Sequence, residues 1–391
     1  MENIHKLRSN EDKGIQKWDD MNLKEQLLRG IYAYGFEVPS EIQKQAIMPI
    51  IGGDDVIAQA QSGSGKTGTF SISALERIDP TLSATQVLIL SPTHELVKQT
   101  AGVLTDIGRN IEGLIVKTLV GGTSVRDDIN SLKKQPPHVI VGTVGRILDM
   151  FSKRHIKNEH LKMLIIDEAD EMLSQGFSEK IRFMFEQHFL DTMQVVLFSA
   201  TMPSEILHIS RNFMRNPNYI LMKKEELSLK CIQQYFVAIM NDEMKFQKLK
   251  DLFSVISISK CIIYCNSVGR VMDLYNWMTN DGFSVCYIHS NMGKNERKEA
   301  LNQFRVSDVR VMISSDITAR GIDVQQVSTV INYDLTRNIH TYLHRIGRGG
   351  RWGRKGVAIN FITKQDVPDI RRIESYYKIE VNELPDNFQG I

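Results

Sequence analysis

Short apolar runs rich in β-branched residues alternate with segments of helical period along almost the whole chain. In the first half the runs are DVIAQA, QVLIL, LIVKTLV, HVIV, KMLII and QVVLF, with helix-period segments such as 66–78 and 205–214 between them. The second half repeats the pattern with KCIIYC, SVCYI, VRVMI, STVINY and GVAINFI. Strands alternating with helices specify a parallel, doubly wound α/β sheet. The repetition predicts two such lobes, and 391 residues suffice for two separate cores. After the run NYILM the chain turns charged, as KKEELSLK, and apolar periodicity resumes at Ile232. The expected division is an N-terminal domain over 1–221, a linker over 222–232 and a C-terminal domain over 233–391. Ahead of the first lobe, Leu23, Leu27, Leu28 and Ile31 recur at helical spacing, and Gly35 supplies a stop.

Ligands of open α/β sheets bind beyond the carboxyl ends of the strands. At those positions the first half carries QSGSGKT, SPTHEL, GG, GTVGR, DEAD and SAT. The second half carries NSVGR, HSNM, SSDITARGIDV and YDL. Glycines, hydroxyls and charges collected there on both lobes predict two active edges facing one cleft.

The AQSGSGKT segment, 60–67, follows a strand and opens a helix, which is the context a phosphate-binding loop needs. Gly63 and Gly65 let backbone N–H groups approach phosphate, Lys66 reaches the β/γ oxygens and Thr67 offers a hydroxyl to Mg²⁺. The strict pattern fails at its first position, where Ala60 stands for glycine; a chance turn rich in glycine and serine is the bland alternative. Asp167, at the end of the strand MLII, is placed to hold the metal. Glu168 beside it is placed to orient or deprotonate the attacking water, although adjacent acids after a strand could simply cap the next helix. In the second lobe HRIGRGGR, 344–351, offers Arg348 and Arg351 as arginine fingers toward a γ-phosphate. A solvated basic loop is the competing reading.

A net charge of +2 excludes a polycation that coats nucleic acid, so any binding to RNA would have to come from local clusters. The densest comprises Arg345, Arg348, Arg351, Arg354 and Lys355. Of the four cysteines, Cys261 and Cys265 lie on one face of the strand CIIYC; no second CxxC or clustered histidines follow, which favours core thiols over a metal site. No signal peptide is expected, and no run approaches the ~18 apolar residues of a membrane span.

The set AQSGSGKT, DEAD, SAT, ARGIDV and HRIGRGGR, in this order and spacing, resembles the DEAD-box RNA helicases from about Trp18 onward. LLRGIYAYGFEVPSEIQ, SATMPSEIL, RGIDVQQV and RGGRWGRKGVAINF are most similar to the translation initiation factor 4A branch, with its exon-junction-complex paralogue second. The resemblance implies two tandem RecA-like domains that close on ATP, Mg²⁺ and single-stranded RNA. Phe36 and Gln43 then match the motif that stacks on adenine and pairs with its edge. Ala60, Gln61, Ser62, Gly63, Ser64, Gly65, Lys66 and Thr67 hold the phosphates, and Gly321 and Asp323 add contacts from the second lobe. Ser199, Thr201 and His344 match the elements that couple hydrolysis to RNA. The implied RNA contacts are Pro92, Thr93, Gly122, Thr143 and Arg146 in the first lobe, with Asn266, Arg297 and Ser315 in the second. Hydroxyls, backbone N–H groups and isolated arginines suit phosphate and 2′-OH, which carry no sequence information.

Four departures from the family pattern concern RNA grip and leave the ATP residues untouched: His94 for arginine in PTHEL, Val144 for proline in TVGR, Ser290 and Asn291 in HSNM, and Lys294 in KNER. The expected substrate is single-stranded RNA or structured mRNA, unwound by a monomeric, cytoplasmic (or nuclear) ATPase with protein partners of the translation-initiation type. An ATP-gated clamp serving as a binding platform is the alternative. A P-loop kinase or GTPase is disfavoured, because no guanine-reading NKxD motif is found and two lobes would be unexplained.

Overall fold

The computed structural model describes residues 14–60, 63–174, 177–202, 204–221, 232–256, 259–306, 309–316, 327–347 and 356–385. The chain divides into two compact units, Met1–Met222 and Lys223–Ile391. The first holds strands β1 (Val56–Gln59), β2 (Val87–Leu90), β3 (Val116–Leu119), β4 (Val139–Gly142), β5 (Met163–Ile166), β6 (Gln194–Ser199) and β7 (Asn218–Leu221). They form one parallel seven-stranded sheet in the order β3-β4-β2-β5-β6-β1-β7.

The side-chain period of two explains why these runs are apolar throughout. Val56 and Ala58, Val87 and Ile89, and Val196 and Phe198 face one core, while Ile57, Leu88 and Leu197 face the other. A strand covered by helices on both faces has no position left for a polar alternation. The helix Glu25–Ala33 buries Leu27 and Ile31 in the first core, and Gly35 beyond it takes the left-handed conformation at φ +95°.

The second unit repeats the plan with β8 (Ile232–Ala238), β9 (Cys261–Cys265), β10 (Val285–Ile288), β11 (Val311–Ser315), β12 (Thr329–Asn332), β13 (Gly356–Ile362) and β14 (Asn382–Glu383). Their order is β10-β11-β9-β12-β13-β8-β14, again parallel. Ile232, placed last in the expected linker, is the first residue of β8 and pairs with Gly356. Residues 222–231, the rest of that linker and Cys231 with it, lie outside the described residues. Cys261 and Cys265 share the core face of β9 with Ile263, and burial pushes both thiols far up, as befits packed core groups. No described helix is long and apolar enough to cross a membrane.

Candidate nucleotide and RNA site

In the first lobe β5, β6 and β1 are neighbours, so DEAD, SAT and the phosphate loop emerge side by side at one sheet edge. Gly63 and Gly65 take left-handed φ values of +84° and +102°, which only glycine adopts without strain. Gln61 and Ser62 lie outside the described residues. Ala60 is buried, and its N–H donates to the Ser199 carbonyl at 3.0 Å, tying the start of the loop to SAT. Lys66 and Thr67 open the helix Lys66–Arg77, and Lys66 Nζ lies 3.3 Å from Glu168 Oε2. Ser64 offers its carbonyl to the Ser40 hydroxyl at 2.8 Å.

Gln43 is 3% exposed, so it is not a solvated helix-start residue. Its Oε1 accepts the Ser40 N–H at 2.7 Å, one half of a capping box, and its Nε2 lies 3.4 Å from the Gly65 carbonyl. An amide has two lone pairs and two protons, so one of each is left for an adenine edge. Phe36 is half-buried and stacks on Trp18 with centroids 6.1 Å apart, and the Trp18 indole N–H donates to the Phe36 carbonyl at 3.0 Å. A Cβ at Gly68 would sit 2.8 Å from Gln43 Nε2 and 2.9 Å from Phe36 Cε2. Only glycine there lets the adenine-side residues rest on the phosphate-loop helix.

Asp167 continues β5, its N–H donating to the Leu90 carbonyl at 2.9 Å. Burial, then the neighbouring Glu168, pushes its carboxyl up to about 7, with Lys66 opposing. Glu168 has φ +48°, a left-handed conformation that a glutamate adopts only under strain. That backbone turns its carboxylate toward Lys66 while its N–H bonds Asp167 Oδ1 at 2.9 Å. The last acid of the motif has its own link: Thr201 Oγ1 donates to Asp170 Oδ2 at 2.6 Å, and Ser199 Oγ donates to the Thr201 carbonyl at 2.6 Å. Two hard oxygens, the Thr67 hydroxyl and the crowded Asp167 carboxylate, are a donor set suited to Mg²⁺.

The other half of the sheet, β3-β4-β2, carries the expected RNA residues. Thr93, next to half-buried Pro92, caps the helix His94–Ile107 by accepting the Leu96 N–H at 3.3 Å. Gly122 is exposed with φ +71°. Thr143 is the N-cap residue of the helix Val144–Ser152, and its N–H donates to the Leu119 carbonyl at 3.0 Å. Val144 is buried at the first helical position, where an N–H needs no helical partner, so valine replaces proline without losing a bond. Arg146 is turned inward onto Thr123 and Asp128. The Ser91 N–H donates to the Gly142 carbonyl within this half, and the Asp167 N–H, donating to the Leu90 carbonyl, joins it to the nucleotide half.

In the second lobe Asn266 donates to the Leu335 carbonyl at 2.9 Å, Arg297 Nη2 donates to the Ser290 carbonyl at 2.5 Å, and Ser315 and His344 are buried. Lys294 begins the helix Lys294–Val306. Arg345 overturns its assignment to the basic cluster. It is 0% exposed and bonds Asp316, Asn332, the Asp334 carbonyl and Asn266, with its guanidinium 5.3 Å from the Tyr264 ring centroid. Sequence records charge but not burial, and this arginine pins together the ends of β9, β11 and β12. Asp334 also pairs with Lys245 at 3.0 Å and Arg270 at 2.7 Å, and despite its burial these partners hold its carboxyl below the ordinary value. Gly321, Asp323, Arg348, Arg351, Arg354 and Lys355 lie outside the described residues. Trp18, Ser40, Asp128 and Asp170 were given no role by sequence reasoning; only Ser40 had a readable signal, the S-x-x-Q spacing to Gln43.

Two parallel α/β lobes, with a phosphate loop, DEAD and SAT on one edge of the first, are the layout of a two-lobed NTP-driven helicase. The chain belongs to the DEAD-box helicase family. Residues 40–209 match the DEAD/DEAH box helicase domain and residues 244–353 the helicase conserved C-terminal domain. The chain is 51% identical over 383 residues to the ATP-dependent RNA helicase eIF4A of Neurospora crassa, covering 97% of this chain and 95% of that protein. It is 49% identical over 385 residues to eIF4A of Eremothecium gossypii, covering 98% and 96%. The structure of S. cerevisiae Dbp5 bound to RNA and ADP BeF3 matches with a TM-score of 0.86 and 32% identity, over 94% of this chain and 95% of that one. Both lobes are therefore RecA-like domains in tandem.

Proposed function

We propose that this chain is an ATP-dependent RNA helicase of the eIF4A type, unwinding short RNA structure during translation initiation in the cytoplasm. The observation that carries the reading is the 2.6 Å bond from Thr201 to Asp170, which joins SAT to DEAD on the edge that also presents the RNA-side loops. In this reading Phe36 and Gln43 hold adenine, and Gly63, Ser64, Gly65 and Lys66 hold the phosphates. Thr67 and Asp167 would hold Mg²⁺, which when bound neutralises charge on the β and γ oxygens. Phosphate takes Lys66 from Glu168, and Glu168 is then placed to orient water or accept its proton. Arg348 and Arg351 would complete the site from the second lobe.

RNA follows Pro92, Thr93, Gly122 and Thr143 in the first lobe and Asn266, Arg297 and Ser315 in the second, through backbone-type contacts that ignore sequence. Partners of the initiation type, suggested by the eIF4A relatives, would supply specificity. The test is ATP hydrolysis with and without single-stranded RNA, beside unwinding of a short duplex. RNA-stimulated hydrolysis with strand release supports the reading; hydrolysis indifferent to RNA overturns it.

A further inference from the structure

Of the expected RNA contacts in the first lobe, Arg146 is the one whose charged group is already engaged. Its side chain is 6% exposed, and that of Asp128, its ion-pair partner, is 9% exposed. Nη1 also donates to Thr123 Oγ1 at 3.0 Å, and Nη2 donates to the Thr123 carbonyl at 2.8 Å. The Thr123 hydroxyl donates onward to the Val120 carbonyl at 2.8 Å. These partners come from different strand-end segments. Val120 and Thr123 flank the glycine pair after β3, and Asp128 lies early in the helix Val125–Lys134. Arg146 lies in the first turn after Thr143.

The geometry points to Arg146 and Asp128 as a positioning pair that locks the Gly121–Gly122 loop against Thr143, so that both loops meet RNA as one preformed surface and neither side chain touches it. This rests on the helicase reading. Nothing lies within 4 Å of a Cβ placed at Gly122, so the loop faces open space at that point. Left unlocked, the loop would lose conformational freedom on binding, and that loss would appear as weaker affinity. A buried guanidinium facing a carboxylate also has little reason to leave it for an exposed phosphate.

The test is RNA affinity over a salt series, with a homopolymeric single-stranded RNA and a non-hydrolysable ATP analogue, for wild type, Arg146→Gln, Asp128→Asn and the double variant. A positioning pair predicts that each single change weakens binding about tenfold and the double change no further. The slope of log affinity against log salt stays the same, and Asp128→Glu restores part of the loss. In ATPase assays Asp128→Asn needs more RNA for half-maximal stimulation, while its RNA-saturated turnover stays within about twofold of wild type. A direct contact predicts instead that Asp128→Asn, by freeing the guanidinium, binds RNA at least as tightly as wild type, and that Arg146→Gln lowers the slope by about 0.7; either result overturns the proposal. Breaking a buried pair can unfold a lobe, so Thr123→Ala, which keeps the ion pair, is measured beside them and should weaken RNA binding about threefold. If turnover, KM for ATP and melting temperature deteriorate together with RNA affinity, the pair is merely structural and the proposal falls. Failure of wild type itself to bind RNA would instead overturn the helicase reading on which it rests.

Discussion

The hydroxyl of Thr201 donates to Asp170 Oδ2 at 2.6 Å, joining two motifs that lie 31 residues apart in sequence. Asp170 stands in the helix Ala169–Ser174, two residues beyond the strained Glu168, and Thr201 stands two residues beyond the end of β6. Both are buried, at 7% and 4% exposed. On the proposed mechanism, movement of the DEAD turn when nucleotide binds or phosphate leaves would be passed to the SAT segment, whose Ser199 carbonyl also accepts the Ala60 N–H at the start of the phosphate loop.

Thr201→Val keeps the shape and removes that donor. Its expected effect falls on coupling: ATP still binds and is still hydrolysed, but strands released per ATP drop about tenfold. Parallel assays of phosphate release and duplex unwinding check this. Equal losses in both would place Thr201 in the chemistry and not in the transmission.

Glu168→Gln should separate binding from turnover. Hydrolysis is expected to slow by about 10²–10⁴-fold. ATP should bind more tightly than to wild type, because Glu168 Oε2, 3.3 Å from Lys66 Nζ, competes with phosphate for the same ammonium. Single-turnover rates beside equilibrium nucleotide binding give both quantities.

Gly68→Ala tests the adenine side. The new Cβ would meet Gln43 Nε2 at 2.8 Å and Phe36 Cε2 at 2.9 Å, so Phe36 and Gln43 must shift. The expected outcome is a rise in KM for ATP of about tenfold or more and a weakened preference for ATP over GTP. Competition binding with both nucleotides is the measurement.

The fold was legible because doubly wound strands are apolar on both faces, so DVIAQA, QVLIL and KMLII stand out as runs. β8 was less so: Gln233 and Gln234 interrupt IQQYFVA, and Gln234 is buried to accept the Tyr342 hydroxyl at 2.8 Å. The phosphate loop, DEAD and SAT were legible because contiguous residues carry their chemistry. What joins them was not. Trp18 with Phe36, Arg146 with Asp128, and Arg345 with Asp316 are pairs made by the topology, and no local spacing announces them. Arg345 in particular shows that an arginine in a basic run can be a buried strut.

The first lobe should lose stability in mild acid through His138. Its Nδ1 accepts the Ile115 N–H at 3.0 Å, which requires the unprotonated nitrogen, and burial holds the ring below the ordinary histidine value. The unfolded chain therefore takes up a proton as pH falls through about 6.5 while the folded lobe resists. Stability is fully present above that pH and falls by up to ~1.4 kcal/mol per unit until the folded ring also titrates. Denaturant unfolding of wild type and His138→Gln at pH 7.5 and pH 5.5 checks it; the variant should be weaker at the higher pH and less sensitive to the change.

His94 bears on how strongly the first lobe holds RNA. Its Nε2 lies 3.9 Å from the point a Cβ on Gly121 would occupy, so the ring stands beside the glycine pair at the end of β3. It is also the first residue of the helix that Thr93 caps. Imidazole lacks the permanent charge and forked donors that arginine would bring there. His94→Arg is therefore expected to tighten single-stranded RNA binding at low salt by several-fold and to steepen the salt dependence by about 0.7. The two proteins should converge as salt rises, since the added term is counterion release. Exposed Lys98, one turn along the same helix, is the competing source of positive charge at this edge. Lys98→Ala distinguishes them. If it flattens the slope of wild type while His94→Arg leaves the slope unchanged, phosphate is held by Lys98, and position 94 is not at the RNA.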